Sequence, residues 1–528
     1  MMLIGDMLRR NARIHADKIG IIEGDKQFTY RELNKRVNRL ANVLSSIGMA
    51  KGDKIGFMGN NSHQFVEFYF AIAKRGFVTI PVNARFSAEE AAHVLKDSEA
   101  TLLIYSADVE ETVQKIRLLV PEIKQYICTG KSGKDVLSYE ELLASASDEE
   151  PNQIIWPDDT TMIMYTSGAT GFPKGVVTTQ RNVMANTNTM TLELDITPED
   201  TTVLVMPIYH NGGLWPTMSF VYRGGTNILM PRFDIKELLQ TVQDYKVTFV
   251  NLVPTMLLRI VSYPDLSSYN IDSLRAIMYA GAPIPMEQLK NAMRVLGPYR
   301  LTTGLGSTES GGALLHFRAP EHVLEGPKAV KLGSVGKDAM GIEIAIVGDD
   351  GKEVPNGTVG EIIGSGDNMA QAYWKLPKES AETFRNGWVY TGDMGYRDED
   401  GFVYIVDRKK DIIISGGENV ASREVEEVLY QHPAIYEASV IGVPDKEWGE
   451  AVKAVVVLKE EFKDKISEAE LTDYCRSRLA GYKRPRSIDF LSELPKNAAG
   501  KIDKANLKRY YKDLYEQQGV KSALGGLE

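Results

Sequence analysis

Short β-rich runs alternate with segments of helical periodicity from residue 20 onward, and this alternation restricts the chain to a layered α/β architecture. Thr29 and Glu32 have capping-box spacing, and Leu33, Val37, Leu40 and Leu44 form one apolar stripe that ends before Gly48. The strand-like run KIGFMG follows it. Asp234 and Glu237 open a second such helix bearing Leu238, Leu239 and Val242, after which VTFVNLV reads as a buried strand stopped by Pro254. Between 330 and 406 the texture changes to short strands broken by GDDGKEVPNG, RNG and RDEDG, which predicts an antiparallel or barrel-like portion. Beyond VDRKKD the alternation resumes, with a helix in REVEEVLYQH, strands in EASVIGVP and AVKAVVVLKE, and a helix opened by Ser467 and Glu470. The pattern therefore predicts an N-terminal domain over 1–406 and a C-terminal domain over 407–528, with a polar tail from Lys508 that frays at its end. No tandem repeat of fixed period is present.

Composition removes several classes of function. Lys and Arg total 61 against 71 Asp and Glu, a net charge of -10, which lacks the basic footprint of a nucleic-acid reader. The two cysteines, Cys128 and Cys475, lie far apart without a C-x-x-C partner, so neither a disulfide scaffold nor an ordinary zinc cluster is expected. A reducing compartment fits them. The opening MMLIGDMLRR lacks the charge order of a leader, and no run reaches the roughly 18 apolar residues of a membrane span. The expectation is a cytoplasmic protein, with peripheral membrane contact and oligomeric state, including a homodimer, left open.

Chemistry concentrates in a few segments. YTSGATGFPKGVV gathers Thr166, Ser167, Thr170 and the glycines 168, 171 and 175 around Lys174. Small hydroxyl residues and glycines let backbone amides approach an anion, and a lysine adds a point charge, which together describe a phosphate cradle. It is not the G-x-x-x-x-G-K-[ST] loop, because Gly175 follows the lysine. In GLGSTES, Thr308 can donate to a phosphate oxygen, and Glu309 supplies the hard oxygen that Mg2+ prefers. Alone, that pair also reads as a turn or a helix start. Asp393 in YTGDMG could accept two ribose hydroxyls or simply form an Asx turn. Gly416 and Gly417 in SGGENV permit either a narrow passage or a tight β-turn.

The cradle resembles the signature loop of the adenylate-forming superfamily: acyl-CoA synthetases, firefly-type luciferases and peptide-synthetase adenylation domains. GLGSTES, YTGDMG, DRKKDIIISGGENV and PKNAAGKIDK follow in that family's order, so the likeness runs from about 20 to 510 and is strongest to acyl-CoA synthetases. The resemblance implies two α/β subdomains and a β-barrel-like portion in the large domain, and a small, mobile α+β lid pivoting at Asp407. It implies ATP, Mg2+ and coenzyme A as cofactors and a small carboxylic acid as substrate. Phosphate would be held by Thr166, Ser167, Gly168, Thr170, Lys174 and Thr308, metal by Glu309, and ribose by Asp393 and Arg408. Lys501 would neutralise charge between the carboxylate and the α-phosphate. Gly416 and Gly417 would pass the pantetheine arm, and Arg85 would meet the coenzyme phosphate, with Lys446 and Trp448 as helpers.

His210 resembles the family's carboxylate-facing gate, although a lone His is also often a satisfied, partly buried one. Tyr209, Trp215, Met218, Tyr279, Gly281 and Gly304 are placed at the acid or nucleotide site by the same likeness, while the aromatic residues fit a core equally well. Leu305 departs from the family, which usually carries an aromatic residue there to stack on adenine. The implied activity is an AMP-forming acyl-CoA ligase for a hydrophobic monocarboxylic acid, a medium- to long-chain fatty acid. The alternatives are an aryl-CoA ligase of the benzoate or cinnamate type and a stand-alone enzyme loading a carrier protein.

Overall fold

Strands buried on both faces read as continuous apolar runs when a sheet is parallel and covered by helices, and the runs here do so: Val78–Val82, Leu102–Tyr105, Phe249–Leu252 and Ala276–Tyr279 are buried at every position. The computed structural model describes residues 2–130, 135–166, 173–297, 299–445, 447–496 and 502–524, with side chains in the last helix described through 514.

One sheet has eight strands, in the order Ala372–Tyr373, Lys174–Thr179, Thr160–Thr166, Val78–Val82, Lys54–Met58, Leu102–Tyr105, Gln125–Cys128 and Leu137–Ser138. The second has nine: Lys337–Asp338, Gly312–Phe317, Leu301–Ser307, Ala276–Tyr279, Phe249–Leu252, Thr201–Leu204, Thr226–Leu229, Ile19–Glu23 and Lys26–Thr29. Both are parallel in the middle and antiparallel at an edge. The helix His63–Arg75 is buried from His63 through Lys74 and lies in a cluster that draws Ile55 and Phe57 from one sheet and Leu204 and Leu229 from the other.

Local capping chemistry sets the helix starts. Thr29 accepts from the Glu32 amide and the Glu32 carboxylate returns to Thr29, while Asp234 and Ser467 cap their helices through Glu237 and Glu470. The 330–406 stretch is strand-rich: Glu343–Val347, Gly360–Ser365, Trp388–Arg397, Phe384–Arg385 and Val403–Arg408 belong to one five-stranded sheet. The fold class is thus mixed α/β with a large N-terminal and a smaller C-terminal part, as the alternation predicts.

The chain divides into two compact units. One comprises Met1–Pro283, Asn291–Ala345 and Ile363–Thr391; the other comprises Ile284–Lys290, Ile346–Ile362 and Gly392–Glu528. The second unit holds a five-stranded sheet in which Ile435–Asp445 and Gly449–Leu458 form a long hairpin. The polar tail is helical over Lys504–Leu524, because Leu507, Tyr511 and Leu514 recur on one face and pack against Val443, Val455 and Val457. Cys128 and Cys475 are buried and free. Among the described residues no helix is long and apolar enough to cross a membrane.

Candidate active site

Thr166 ends one strand of the eight-stranded sheet and Lys174 begins its antiparallel neighbour, where the two are cross-strand partners. The sheet therefore fixes both ends of the glycine-rich segment. Ser167, Gly168 and Thr170 lie outside the described residues. The Lys174 ammonium sits over the ring of Tyr373, 5.3 Å from its centroid. The Tyr373 hydroxyl donates to Glu309 Oε1 at 2.9 Å, and the Ala370 amide donates to the Glu309 carbonyl at 2.9 Å. Residues 370–373 thereby join Lys174 to Glu309, two residues far apart in the chain.

Thr308 and Glu309 occupy the turn between the antiparallel strands Leu301–Ser307 and Gly312–Phe317. Close backbone approach explains the small residues of this turn and its flanking strand. A Cβ on Gly304 would lie 2.3 Å from the Leu315 carbonyl oxygen, and one on Gly311 would lie 2.0 Å from the Asn368 carbonyl oxygen. Asn368, fully buried, donates through Nδ2 to the carbonyls of Ser310 and Ala313, at 2.8 and 2.9 Å. Asn186 Oδ1 accepts from the Ala313 amide at 3.0 Å.

Asn186 belongs to the helix Gln180–Glu193, whose buried face is unusually polar. Several of these polar side chains bond to groups remote in the chain. Gln180 bonds the Ile4 amide and the Ala73 carbonyl, Asn182 donates to the Asp367 carbonyl, and Thr189 donates to that of Met340. At the helix end, Glu193 accepts from Arg318 Nε at 2.9 Å, from the Met340 amide at 2.8 Å, and shares a 2.9 Å hydrogen bond with His316 Nδ1. Burial disfavours the Glu193 charge, but the bonds to His316 and Arg318 outweigh it and hold the carboxyl at about 2.

A small cleft, partly open to solvent, lies beside the turn. Met162, Met164, Val183, Leu214, Trp215 and Met218 give it apolar walls; Thr178, Asn182, Asn186, Thr187, Asn211 and Thr308 add polar ones. Trp215 serves as wall and core at once, since its ring also packs edge-on against Phe249 at 5.7 Å. Its helix, Asn211–Arg223, contains Pro216, which has no N–H for the Gly212 carbonyl. Asn251 Nδ2 supplies the missing donor, at 2.7 Å.

Tyr279 does not line this cavity. Its hydroxyl bonds His322 Nε2 at 3.0 Å, and burial pushes its phenol upward. Burial likewise lowers His322 to about 4, so the ring is neutral, with the Arg318 carbonyl holding the proton on Nδ1. Tyr209 is buried and packs edge-on against His210 at 4.9 Å. Burial raises its phenol, opposed by the nearby positive charge of Arg85. His210 itself occupies the N-cap position of the Asn211–Arg223 helix. Gly281 follows the strand of Tyr279 with φ +92°, and Leu305 faces Leu315 across the hairpin.

The second unit carries the remaining candidates. Asp393 and Arg408 are cross-strand partners, with Arg408 Nε donating to Asp393 Oδ1 at 2.9 Å. Asp393 is buried, whereas Arg408 is half-exposed. Asp407 is also buried: Oδ1 accepts from the Arg408 amide at 2.7 Å, and Oδ2 from the amide and hydroxyl of Ser422, at 2.5 and 2.7 Å, at the start of the helix Ser422–Tyr430. Gly416 and Gly417 have φ +61° and +84° and join the strands Ile413–Ser415 and Glu418–Val420, the two-residue hairpin turn that needs positive φ twice. Gly416 is sterically required as well, because a Cβ there would lie 2.4 Å from Trp448 Cε3. Lys446 and Lys501 lie outside the described residues.

Tyr373, Asn186 and Asn368 are absent from the motif reading. Asn186 leaves a trace in the polar run RNVMANTNTMT, too polar for an amphipathic helix and too regular for a loop, whereas Tyr373 and Asn368 stand outside it.

Comparison with known proteins bears on the family to which the chain belongs. The model of the AMP-binding enzyme family matches residues 8–374, and that of the AMP-binding enzyme C-terminal domain matches 424–501. A feruloyl-CoA synthase of Amycolatopsis sp is 37% identical over 515 residues, 96% of this chain and 99% of that protein. The long-chain-fatty-acid–CoA ligase FadD13 of Mycobacterium tuberculosis is 35% identical over 517 residues, 97% of this chain and 99% of that one. The crystal structure of the anthranilate CoA ligase AuaEII in complex with anthranoyl-AMP superposes with a TM-score of 0.88 at 28% identity, covering 98% of each chain. The chain therefore belongs to the AMP-binding enzyme family, the adenylate-forming enzymes, and is an AMP-forming CoA ligase.

Proposed function

We propose that the enzyme activates a hydrophobic monocarboxylic acid, a medium- to long-chain fatty acid, through an acyl-adenylate. The observation that carries this reading is that one turn serves two environments. Thr308 and Gly311 border the mainly apolar cavity, while Glu309 is bonded through Tyr373 to the seat of Lys174. An acid with its tail in the cavity would carry its carboxylate to the residues suited to phosphate.

In the first step a carboxylate oxygen attacks the α-phosphorus of ATP and pyrophosphate leaves; in the second the CoA thiol attacks the acyl carbonyl and AMP leaves. Lys174, the Thr308 hydroxyl and the 166–170 segment bind phosphate oxygens. Glu309 fits Mg2+, since it is a half-buried hard-oxygen ligand held by a neutral donor. Mg2+, when bound, neutralises phosphate charge. Asp393 and Arg408 bind the ribose hydroxyls, and Lys501 neutralises the charge that builds during attack. Asp407 is the pivot between the two steps, and Gly416, Gly417 and Arg85 serve the coenzyme. Gly281 and Gly304 keep backbone close to the acid and nucleotide, and His210 and Tyr209 face the acid.

A second reading, an aromatic acid, is supported by the Trp215 wall and the Asn186, Thr187 and Asn211 groups beside it. Pyrophosphate release across acetate, octanoate, palmitate, benzoate and ferulate tests both. A kcat/KM for octanoate or palmitate at least about tenfold above the aromatic acids, roughly 1.4 kcal/mol, upholds the first reading. The reverse ranking establishes the second, and acetate as the best substrate removes both. Equal turnover with a carrier protein and with free CoA would instead mark a carrier-loading enzyme.

A further inference from the structure

We propose that Tyr373 is a positioning residue for the metal–nucleotide complex: its hydroxyl orients the Glu309 carboxylate and its ring seats the Lys174 ammonium. This rests on the reading of Glu309 as metal ligand and Lys174 as phosphate binder. A phenol on one carboxylate oxygen fixes the rotation of the carboxylate plane and leaves the second oxygen for a cation. Such outer partners of metal ligands tune affinity strongly. The ring does a different task. It holds an ammonium by its π-face without neutralising it, and among the described residues Lys174 makes no ion pair, so its charge stays available for phosphate.

Tyr373 is itself held from several directions. Its strand pairs with Lys174–Thr179 through Val176, its amide donates to Ser380 Oγ at 2.9 Å, and its ring packs edge-on against Phe384 at 5.4 Å. The neighbouring Trp374 amide donates to the Gly175 carbonyl at 2.7 Å, immediately after Lys174. One short strand is thus bonded both to the lysine strand and to the glutamate turn. A tyrosine that served packing alone would not need its hydroxyl on Glu309.

Two substitutions separate the functions. Tyr373→Phe keeps the ring and removes the donor; Tyr373→Leu removes both. The readout is Mn2+ binding, followed by electron paramagnetic resonance on enzyme saturated with α,β-methylene ATP. Tyr373→Phe should raise the Mn2+ dissociation constant about tenfold while the melting temperature stays at the wild-type value. Tyr373→Leu should additionally weaken the nucleotide analogue at saturating Mn2+. In a Glu309→Gln background, Tyr373→Phe should add nothing. Wild-type Mn2+ affinity in Tyr373→Phe, with that affinity lost in Glu309→Gln, overturns the proposal and spares the site reading. Wild-type affinity in Glu309→Gln overturns the site reading, and the proposal falls with it.

Discussion

Met218→Ala should lengthen the acid the enzyme prefers. Met218 is 2% exposed and forms part of the cavity wall, so removing Cγ, Sδ and Cε opens space continuous with the cavity. That space accommodates about two further methylenes of an alkyl chain. At about 0.8 kcal/mol per buried CH₂ they contribute about 1.6 kcal/mol, roughly a 15-fold rise in kcat/KM for the longer acid relative to the wild type. The same truncation costs about 2–5 kcal/mol of folding stability, so loss of stability alone does not discriminate. Met184→Ala supplies the control: Met184 is 1% exposed, directly follows the wall residue Val183 on the same helix, and is not among the cavity-lining residues. Pyrophosphate release is measured with a series of straight-chain acids for both variants at a temperature where both are folded. An unchanged chain-length optimum in Met218→Ala, or an equal shift in Met184→Ala, refutes the assignment of this cavity to the acid.

Lys501→Ala should lower carboxylate-dependent pyrophosphate release by about 10²–10³-fold, while thioester formation from supplied acyl-AMP largely survives; equal loss of both rates contradicts the assigned role. Asn251→Ala should cost about 1–3 kcal/mol by leaving the Gly212 carbonyl unpaired. Pro216→Ala, which restores a backbone N–H to that carbonyl, should recover part of the loss, and strictly additive melting shifts would show otherwise. Lys74 gives a pH effect. Burial lowers it from 10.5 to about 8, despite its bonds to Glu150, Asn34 and Asn38. Between those values the unfolded chain holds a proton the native one has released, so stability rises with pH there. At pH about 9, unfolding should take up close to one proton more in the native protein than in Lys74→Met; equal pH slopes of the melting temperature would remove the claim.

The parts legible in the sequence are those written locally. Thr29, Asp234 and Ser467 signal their helices because a cap and its partner lie three residues apart. The positive-φ turn at Gly416 and Gly417 is likewise a two-residue matter. Motifs also located Lys174 and Thr308–Glu309, but not what joins them, because Tyr373 and Glu309 are 64 residues apart. Trp215, Met218 and Tyr279 were indistinguishable as apolar candidates. Only the packing separates the first two, which line the cavity, from Tyr279, whose hydroxyl is bound to His322. The helix Gln180–Glu193 was invisible for a physical reason: its polar residues mimic a solvated face, yet their partners are remote backbone groups.

That helix has a consequence for how substrate range can change. Asn182, Asn186 and Thr187 contribute to the cavity wall while their bonds secure the 367 segment, the 313 strand and their own helix. Altering any of them to suit a new acid would loosen the scaffold at the same stroke. Val183, Leu214 and Met218 carry no such double duty through their side chains, since they are purely apolar. Divergence, natural or engineered, has its open road through those aliphatic and thioether positions, and the amide-bearing side of the same chamber should stay constant while acid preference drifts.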